Sequence, residues 1–569
     1  MQANSIAPAP DAYAKPAPTV SEHLVDLLHH LGVREAYGLV GGAIAPLCGA
    51  LGQGRLTCYQ LRHEAGALFA AAEASIATGR PVAVFVTTGP GLTNAITGAL
   101  AARWEGARVV LISGSTSAEQ RGRWAVQETS ARTLPASGLL TAGPIFDYAT
   151  TVEHPAELAV IAQRLAHGLA RPQGFVAHLS LPVAIQRATA PVVRWPEAVK
   201  VAPACADEIA ADCVDRIQSG SLVIWVGFGA RGAAEEIRLL AELTGARVMC
   251  TPRGKGIFPE RHPQYLGVTG CGGHEAVERH LTSARPAHTL VLGSRLGEFS
   301  SCWSPALVPS SAFIHVDLDA EAFGAAYPDV PTLGVQCDVR AFLRAILPRI
   351  EGGGAHRGAV PHAVEARPVL RTEGPVRPRA LMAVLQDVIV DGSDALVMAE
   401  SGNAFAWTNH ELRFDAPGRY RVSGLWGSMG HSTSGVVGAA LSRQKKAFAV
   451  VGDGAMLMMN EVSAAVQYGA PAVWIVLNDA VMNIVERGMT ALGFDPFHTQ
   501  LPATDFAAVA RALGAEGIRV DRETDLEAAL ERALALEKPV VVDVQIDPKE
   551  LAPIARRYST LSAMSASKT

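Results

Sequence analysis

Short, unbroken apolar runs recur along the chain, separated by longer stretches of helical character. In the first third, runs 82–86 and 109–113 alternate with alanine-rich stretches such as 65–78. The pattern returns in runs 222–226, 246–250, 289–292 and 313–316, and again in 395–398, 447–451 and 472–477. A continuous apolar run bounded by turn residues marks a strand covered on both faces. Alternation of such strands with helices predicts parallel sheets with helices on either side. The fold class is therefore α/β, with three doubly wound parallel-sheet domains. Their expected bounds are residues 19–187, 204–350 and 379–550. A proline-containing crossing, 188–203, joins the first two. Residues 351–378, rich in Gly, Pro, Ala and Arg, read as a linker. Residues 1–18 read as a disordered Ala/Pro tail, and residues 551–569 as a Ser/Ala tail that frays.

Composition narrows the class. A chain of 569 residues exceeds one hydrophobic core. Charged residues make up 18% and the net charge is −5, so no basic excess points to nucleic acid. No uninterrupted apolar stretch reaches membrane-spanning length. The eight cysteines form no Cys-x-x-Cys pair, which suggests reduced thiols in a cytoplasmic protein. The N-terminus lacks the charged start and apolar core of a signal peptide.

The most informative chemistry sits at strand ends. Gly452-Asp453-Gly454 closes run 447–451, and Asn478-Asp479 closes run 472–477, with an expected helix 460–468 stopped by Gly469 between them. Asp-Gly alone is an ordinary turn. Paired with a second polar turn on the neighbouring strand, it puts oxygen ligands where open α/β sheets bind. Such ligands suit Mg²⁺ or Ca²⁺, and the turn amides suit a phosphate. Glu400-Ser401-Gly402-Asn403-Ala404 and Gly427-Ser428-Met429-Gly430 add two further Gly-containing turns. A methionine in such a turn is usually a gap filler.

The first block offers Glu64 at a helix start, a placement the helix dipole alone would favour. It also holds Thr87-Thr88-Gly89-Pro90-Gly91-Leu92-Thr93-Asn94 after a strand, the Gly41-Gly42 turn, and the pair Gln127-Glu128, which composition reads as a solvated loop. In the second block, 227–232 spells Gly-x-Gly-x-x-Gly after a strand, a dinucleotide signal that is weak alone.

Together these motifs resemble the thiamine diphosphate-dependent enzymes of the acetohydroxyacid (acetolactate) synthase and pyruvate oxidase group, over nearly the whole chain. The resemblance implies a pyrimidine-binding, a central Rossmann-like and a diphosphate-binding domain, in that order. It implies that Asp453 and Asp479 bind Mg²⁺ with the carbonyl of Val481. Glu64 would hydrogen-bond N1′ of the aminopyrimidine, and Met429 would hold the cofactor bent. Pro90, Asn94, Gly402, Asn403, Ala404, Gly427, Gly454, Ala455 and Asn478 would contact the cofactor. Gln127, Gly41 and Gly42 would face the reacting carbonyl. A non-redox FAD would touch Arg253, Gly270, Arg295, Asp317 and Asp338. The implied substrate is a 2-oxo acid, pyruvate first, ligated to a second carbonyl. The implied assembly is an obligate homodimer or homotetramer, with Glu64 serving the partner's cofactor. Alternatives are a carboligase with a ketone or aldehyde acceptor, or a pyruvate oxidase-like or decarboxylase-like enzyme. This chain departs from the synthase pattern at Asp479 (usually Asn), Gly488 (Trp), Phe299 (Arg) and Val126 (Phe), and three of these bear on the acceptor.

Overall fold

The computed structural model describes residues 17–190, 193–197, 199, 201, 203–352, 367–458 and 461–566. Residues 1–16 of the expected tail and 353–366 of the expected linker lie outside them. Three six-stranded sheets follow one another, and every strand pair in them is parallel.

The first sheet comprises β1 (Glu35–Gly38), β2 (Thr57–Gln60), β3 (Val82–Val86), β4 (Arg108–Ser115), β5 (Tyr148–Thr151) and β6 (Phe175–Pro182), in the order β2-β1-β3-β4-β6-β5. The second comprises β7 (Leu222–Val226), β8 (Arg247–Cys250), β9 (Tyr265–Val268), β10 (His288–Leu292), β11 (Ala312–Asp317) and β12 (Thr332–Gln336). Its order, β12-β11-β10-β7-β8-β9, is that of dinucleotide-binding sheets. The third comprises β13 (Leu396–Ala399), β14 (Tyr420–Val422), β15 (Ala447–Gly452), β16 (Ala472–Asn478), β17 (Glu516–Val520) and β18 (Val540–Gln545). Its order, β14-β13-β15-β16-β18-β17, repeats that of the first sheet.

The first and third domains share one core. Helix Glu64–Thr78 lies against helix His431–Arg443, and both are rich in small residues. A Cβ on Gly438 would stand 2.0 Å from the Ala70 carbonyl oxygen, so only glycine allows this crossing. Charge is buried at the same junction. Arg421 reaches Glu73 at 2.7 Å and Glu105 at 3.2 Å, while His431 meets Glu73 at 2.9 Å. Arg253 of the central domain joins at Glu105, 2.6 Å away. Burial pushes the Glu73 carboxyl up, but Arg421 and His431 outweigh it and hold it well below the usual range.

Two expectations change. Residues 555–566 form a helix where fraying was expected. The Asp453 turn is itself the start of a short helix, Asp453–Met458, ahead of a second, Val462–Tyr468, which Gly469 closes. All eight cysteines are free. Among the described residues, no helix is long and apolar enough to cross a membrane.

Candidate active site

The register of the third sheet builds the first half of the site. Gly452 on β15 pairs with Leu477 on β16, so Asp453 and Asn478-Asp479 leave neighbouring strand ends side by side. Asp453 is 5% exposed. Its Oδ1 accepts from the Gly454 N–H at 2.7 Å, while its buried Oδ2 has no hydrogen-bond partner. Burial raises its pKa against the opposing amides of Gly454, Ala480, Asp479 and Val481. Burial, and then the charge of Asp453, push Asp479 up to about 6. Asp479 accepts from Asn483 Nδ2 at 3.1 Å and from the Val481 N–H at 3.3 Å. Ala480 between them sits at φ +54°, a left-handed kink. A buried and a half-buried carboxylate, each raised, with an unpartnered oxygen on Asp453, fit a divalent cation. Among the described residues no group of three or more His, Cys, Asp or Glu could hold a metal. The cation would therefore need other oxygens, such as a carbonyl and a diphosphate.

Beside this pair lies a cavity of about 750 Å³. Gly402, Asn403, Ala404, Gly427, Met429, Gly454, Ala455 and Val481 all line it. Gly402, at φ +105°, opens helix Asn403–Glu411, and the buried Oδ1 of Asn403 has no partner. Helix amides and an open polar atom beside a metal pair fit a diphosphate. Asn478 turns away: its Nδ2 donates to Asp543 Oδ1 at 2.8 Å and to the Thr504 carbonyl at 2.9 Å. It braces the strand end and does not line the cavity. Glu400, fully buried, accepts from the Ser432 and Thr433 amides and so caps helix His431–Arg443.

The first domain gathers a second set. Glu64 begins helix Glu64–Thr78 and accepts from Asn94 Nδ2 at 3.2 Å. The Thr88 hydroxyl donates to Gln127 Oε1 at 3.1 Å, and Gln127 stands at φ +55°. A Cβ on Gly41 would lie 2.6 Å from the Thr87 side chain, and one on Gly89 3.0 Å from Gln127. The structure thus brings Asn94, in the helix that Pro90 begins, to Glu64, and Gln127 to the turn at Thr87–Gly89 against which Gly41 also packs. None of them lines the cavity beside Asp453. Trp124 and Val126, on the Gln127 loop, are 97% and 92% exposed.

Several central-domain residues that the resemblance assigned to a flavin also have partners inside the protein. Arg253 is committed to Glu105, and its guanidinium lies 4.2 Å from the centre of the Phe228 ring. The Asp338 carboxylate accepts from the Ala341 N–H as a helix cap. Gly270 is pressed against the Phe299 and Ser300 carbonyls. Arg295 reaches Asp319 and lies over Trp104, and Asp317 accepts from the Asp319 N–H. A Cβ on Gly227 or Gly229 would strike the backbone of Gly293, so loop packing accounts for both glycines. These partners occupy part of the five residues' bonding capacity, while the buried Nε of Arg253 has no partner.

Two residues that line the cavity, Arg557 and Tyr558, had no signal in the local pattern, and a third, Phe299, stands where the resemblance expects an arginine. Phe299 reaches it from the central domain, packed on Phe405 at 4.6 Å. Arg557 and Tyr558 come from the C-terminal helix, and a Cβ on Gly488 would lie 3.8 Å from the Tyr558 ring.

Comparison with known proteins agrees with this geometry. The sequence matches the N-terminal TPP binding domain of thiamine pyrophosphate enzymes over residues 18–134, their central domain over 211–346 and their C-terminal TPP binding domain over 400–544. It is 30% identical over 556 residues to a protein of Mycobacterium tuberculosis provisionally named acetolactate synthase large subunit IlvB2, covering 93% of this chain and 98% of that one. It is 26% identical to acetolactate synthase isozyme 1 large subunit of Escherichia coli, covering 94% of each. Benzoylformate decarboxylase from Polynucleobacter necessarius shares the fold, with TM-score 0.81 and 20% identity over 94% of this chain and 99% of that one.

Proposed function

Because the chain belongs to the thiamine pyrophosphate enzyme family, we propose that it decarboxylates a 2-oxo acid, pyruvate first, and ligates the remainder to a second carbonyl, in the manner of acetolactate synthases. The observation that carries this reading is the adjacent Asp453/Asp479 pair with the open, buried Oδ2 of Asp453. When bound, thiamine diphosphate supplies the electron sink that lets carbon dioxide leave a 2-oxo acid.

The chain's own residues bind, orient and move a proton. Asp453, Asp479 and the Val481 carbonyl would hold Mg²⁺. Gly402, Asn403, Ala404, Gly427, Gly454 and Ala455 would receive the diphosphate, and Met429 would pack against the cofactor. Glu64, steadied by Asn94, would hold a proton at N1′ of the aminopyrimidine. Gln127, Gly41 and Gly42 face the reacting carbonyl.

Among the described residues Glu64 does not line the cavity beside Asp453, which supports a homodimer in which each chain lends Glu64 to its partner. The exposed Trp124 and Val126 support burial of that face in the dimer. The resemblance implies a bound FAD without a redox role, and a visible spectrum of the purified protein tests it.

The test is product analysis by mass spectrometry with pyruvate, thiamine diphosphate and Mg²⁺, with and without a panel of oxo-acid, ketone and aldehyde acceptors. Carbon dioxide with acetolactate supports the reading. No carbon dioxide from any 2-oxo acid contradicts it. A second reading, a neutral ketone or aldehyde acceptor, is favoured by Phe299 and Gly488 on the cavity wall. Arg557 is the one arginine lining that cavity among the described residues, and it supports an acceptor carboxylate instead.

A further inference from the structure

The segment that leaves the Asp453 turn ends on the turn that carries Glu64. Helix Asp453–Met458 is followed by Glu461 and helix Val462–Tyr468. Glu461 is 1% exposed, and its two carboxylate oxygens accept from the Arg62 N–H at 2.9 and 3.2 Å. Its Oε1 would stand 2.6 Å from a Cβ on Gly66, so the carboxylate lies directly over the first turn of the Glu64 helix. The neighbouring residues add to the grip. Arg62 donates through Nε to the Ser463 hydroxyl at 2.9 Å and through Nη2 to Gln467 Oε1 at 2.8 Å. The Gln60 N–H donates to the Tyr468 hydroxyl at 2.7 Å. Every amide and side chain held here belongs to residues 60–66, and the residue they present is Glu64.

A buried carboxylate is a costly way to tie two domains together. Burial pushes Glu461 up to about 7, against the amides of Arg62 and His63 and the charge of Arg62. An apolar side chain would pack the same junction without that cost. What a carboxylate adds is a fixed acceptor geometry for the Arg62 amide, two residues before Glu64.

We infer that Glu461 is a positioning residue for Glu64, tying the metal-side turn of each chain to the acid that the same chain lends to its partner. This rests on the reading of Glu64 as the residue that holds the proton at N1′. A shift of Glu64 by about 1 Å would slow that proton's movement by on the order of a hundredfold.

The test compares Glu461→Ala, Glu461→Gln, Glu461→Asp and Glu64→Gln in the full-length protein with thiamine diphosphate and Mg²⁺. The first readout is hydrogen–deuterium exchange at C2 of the bound cofactor, by acid quench and NMR. Glu461→Ala should slow it about a hundredfold with KM for pyruvate and Mg²⁺ affinity unchanged. Glu461→Gln keeps one acceptor oxygen and should stay within about fivefold of wild type. Glu461→Asp, which keeps the charge but withdraws it, should fall between the two and serves if the alanine variant does not fold. The second readout needs no cofactor: amide exchange of the peptide containing residues 60–68 should quicken in Glu461→Ala. Unchanged C2 exchange in Glu461→Ala and Glu461→Asp, with Glu64→Gln slow, overturns the inference and leaves the function standing. Unchanged C2 exchange in Glu64→Gln overturns the reading of Glu64 and this inference with it.

Discussion

The first and third domains have the same strand order and pack on one another through one core, yet their strand ends carry different chemistry. The third domain ends β15 and β16 with two adjacent carboxylates and an open, buried oxygen. The first ends β2 and β3 with one carboxylate and an array of amides and hydroxyls. The scaffold is duplicated and the loops are specialised, so function lives in the strand-end residues. In the proposed function, one domain holds a charged group and the other steers a proton and a carbonyl.

The sharpest way to break this comparison is Asp453→Ala. A lost metal ligand is worth several kcal/mol, so retention of cofactor with Mg²⁺ should fall roughly a thousandfold. Titrating Mg²⁺ with thiamine diphosphate while following tryptophan fluorescence measures this directly. The matching change in the first domain, Glu64→Gln, should leave retention intact. Equal losses of retention would erase the difference between the two halves.

The shared core comes next. Glu73→Gln unbalances a buried network with Arg421, Glu105 and His431, and should cost about 3–5 kcal/mol in stability. The wild-type carboxyl has its pKa depressed below the ordinary 4.5, so its stabilisation is present above that pH and lost as pH falls below it. Denaturant midpoints between pH 3 and 7 should therefore decline on the acid side in wild type and less steeply in the variant. A flat difference across that range would mean that Glu73 does not hold the domains through its charge.

The smallest effect concerns the acceptor. Arg557→Gln should raise KM for an oxo-acid acceptor about tenfold, the worth of one exposed charged hydrogen bond, with donor decarboxylation unchanged. No change in KM would favour a neutral acceptor.

Much of this was legible in the sequence. Continuous apolar runs such as 447–451 and 472–477 predict fully covered strands, and the punctuation at their ends predicts the metal-side turns. The misreadings have physical causes. Gly454 argues locally against a helix, but the strand–helix packing starts one at Asp453 itself. Asn478 sits beside Asp479, and only the fold shows that its amide faces Asp543. Glycines 227 and 229 make room for Gly293, a packing role that the Gly-x-Gly-x-x-Gly string alone does not reveal. The serine-rich stretch 555–566 has weak helix propensity, and Tyr558 against Gly488 and the Ile484 carbonyl supplies contacts that no local pattern contains. Glu461 has no motif at all, and its meaning lies in a partner some four hundred residues away in sequence.

The central claim is that Asp453 of one chain and Glu64 of another complete one site, and subunit complementation tests it most directly. Glu64→Gln and Asp453→Ala homodimers, each inactive, are dissociated, mixed equally and reassociated, with native mass spectrometry confirming heterodimers. Each heterodimer then holds one site with both residues intact, so the mixture should recover roughly a quarter of wild-type carbon dioxide release from pyruvate. Heterodimers that form without any recovery would contradict the account.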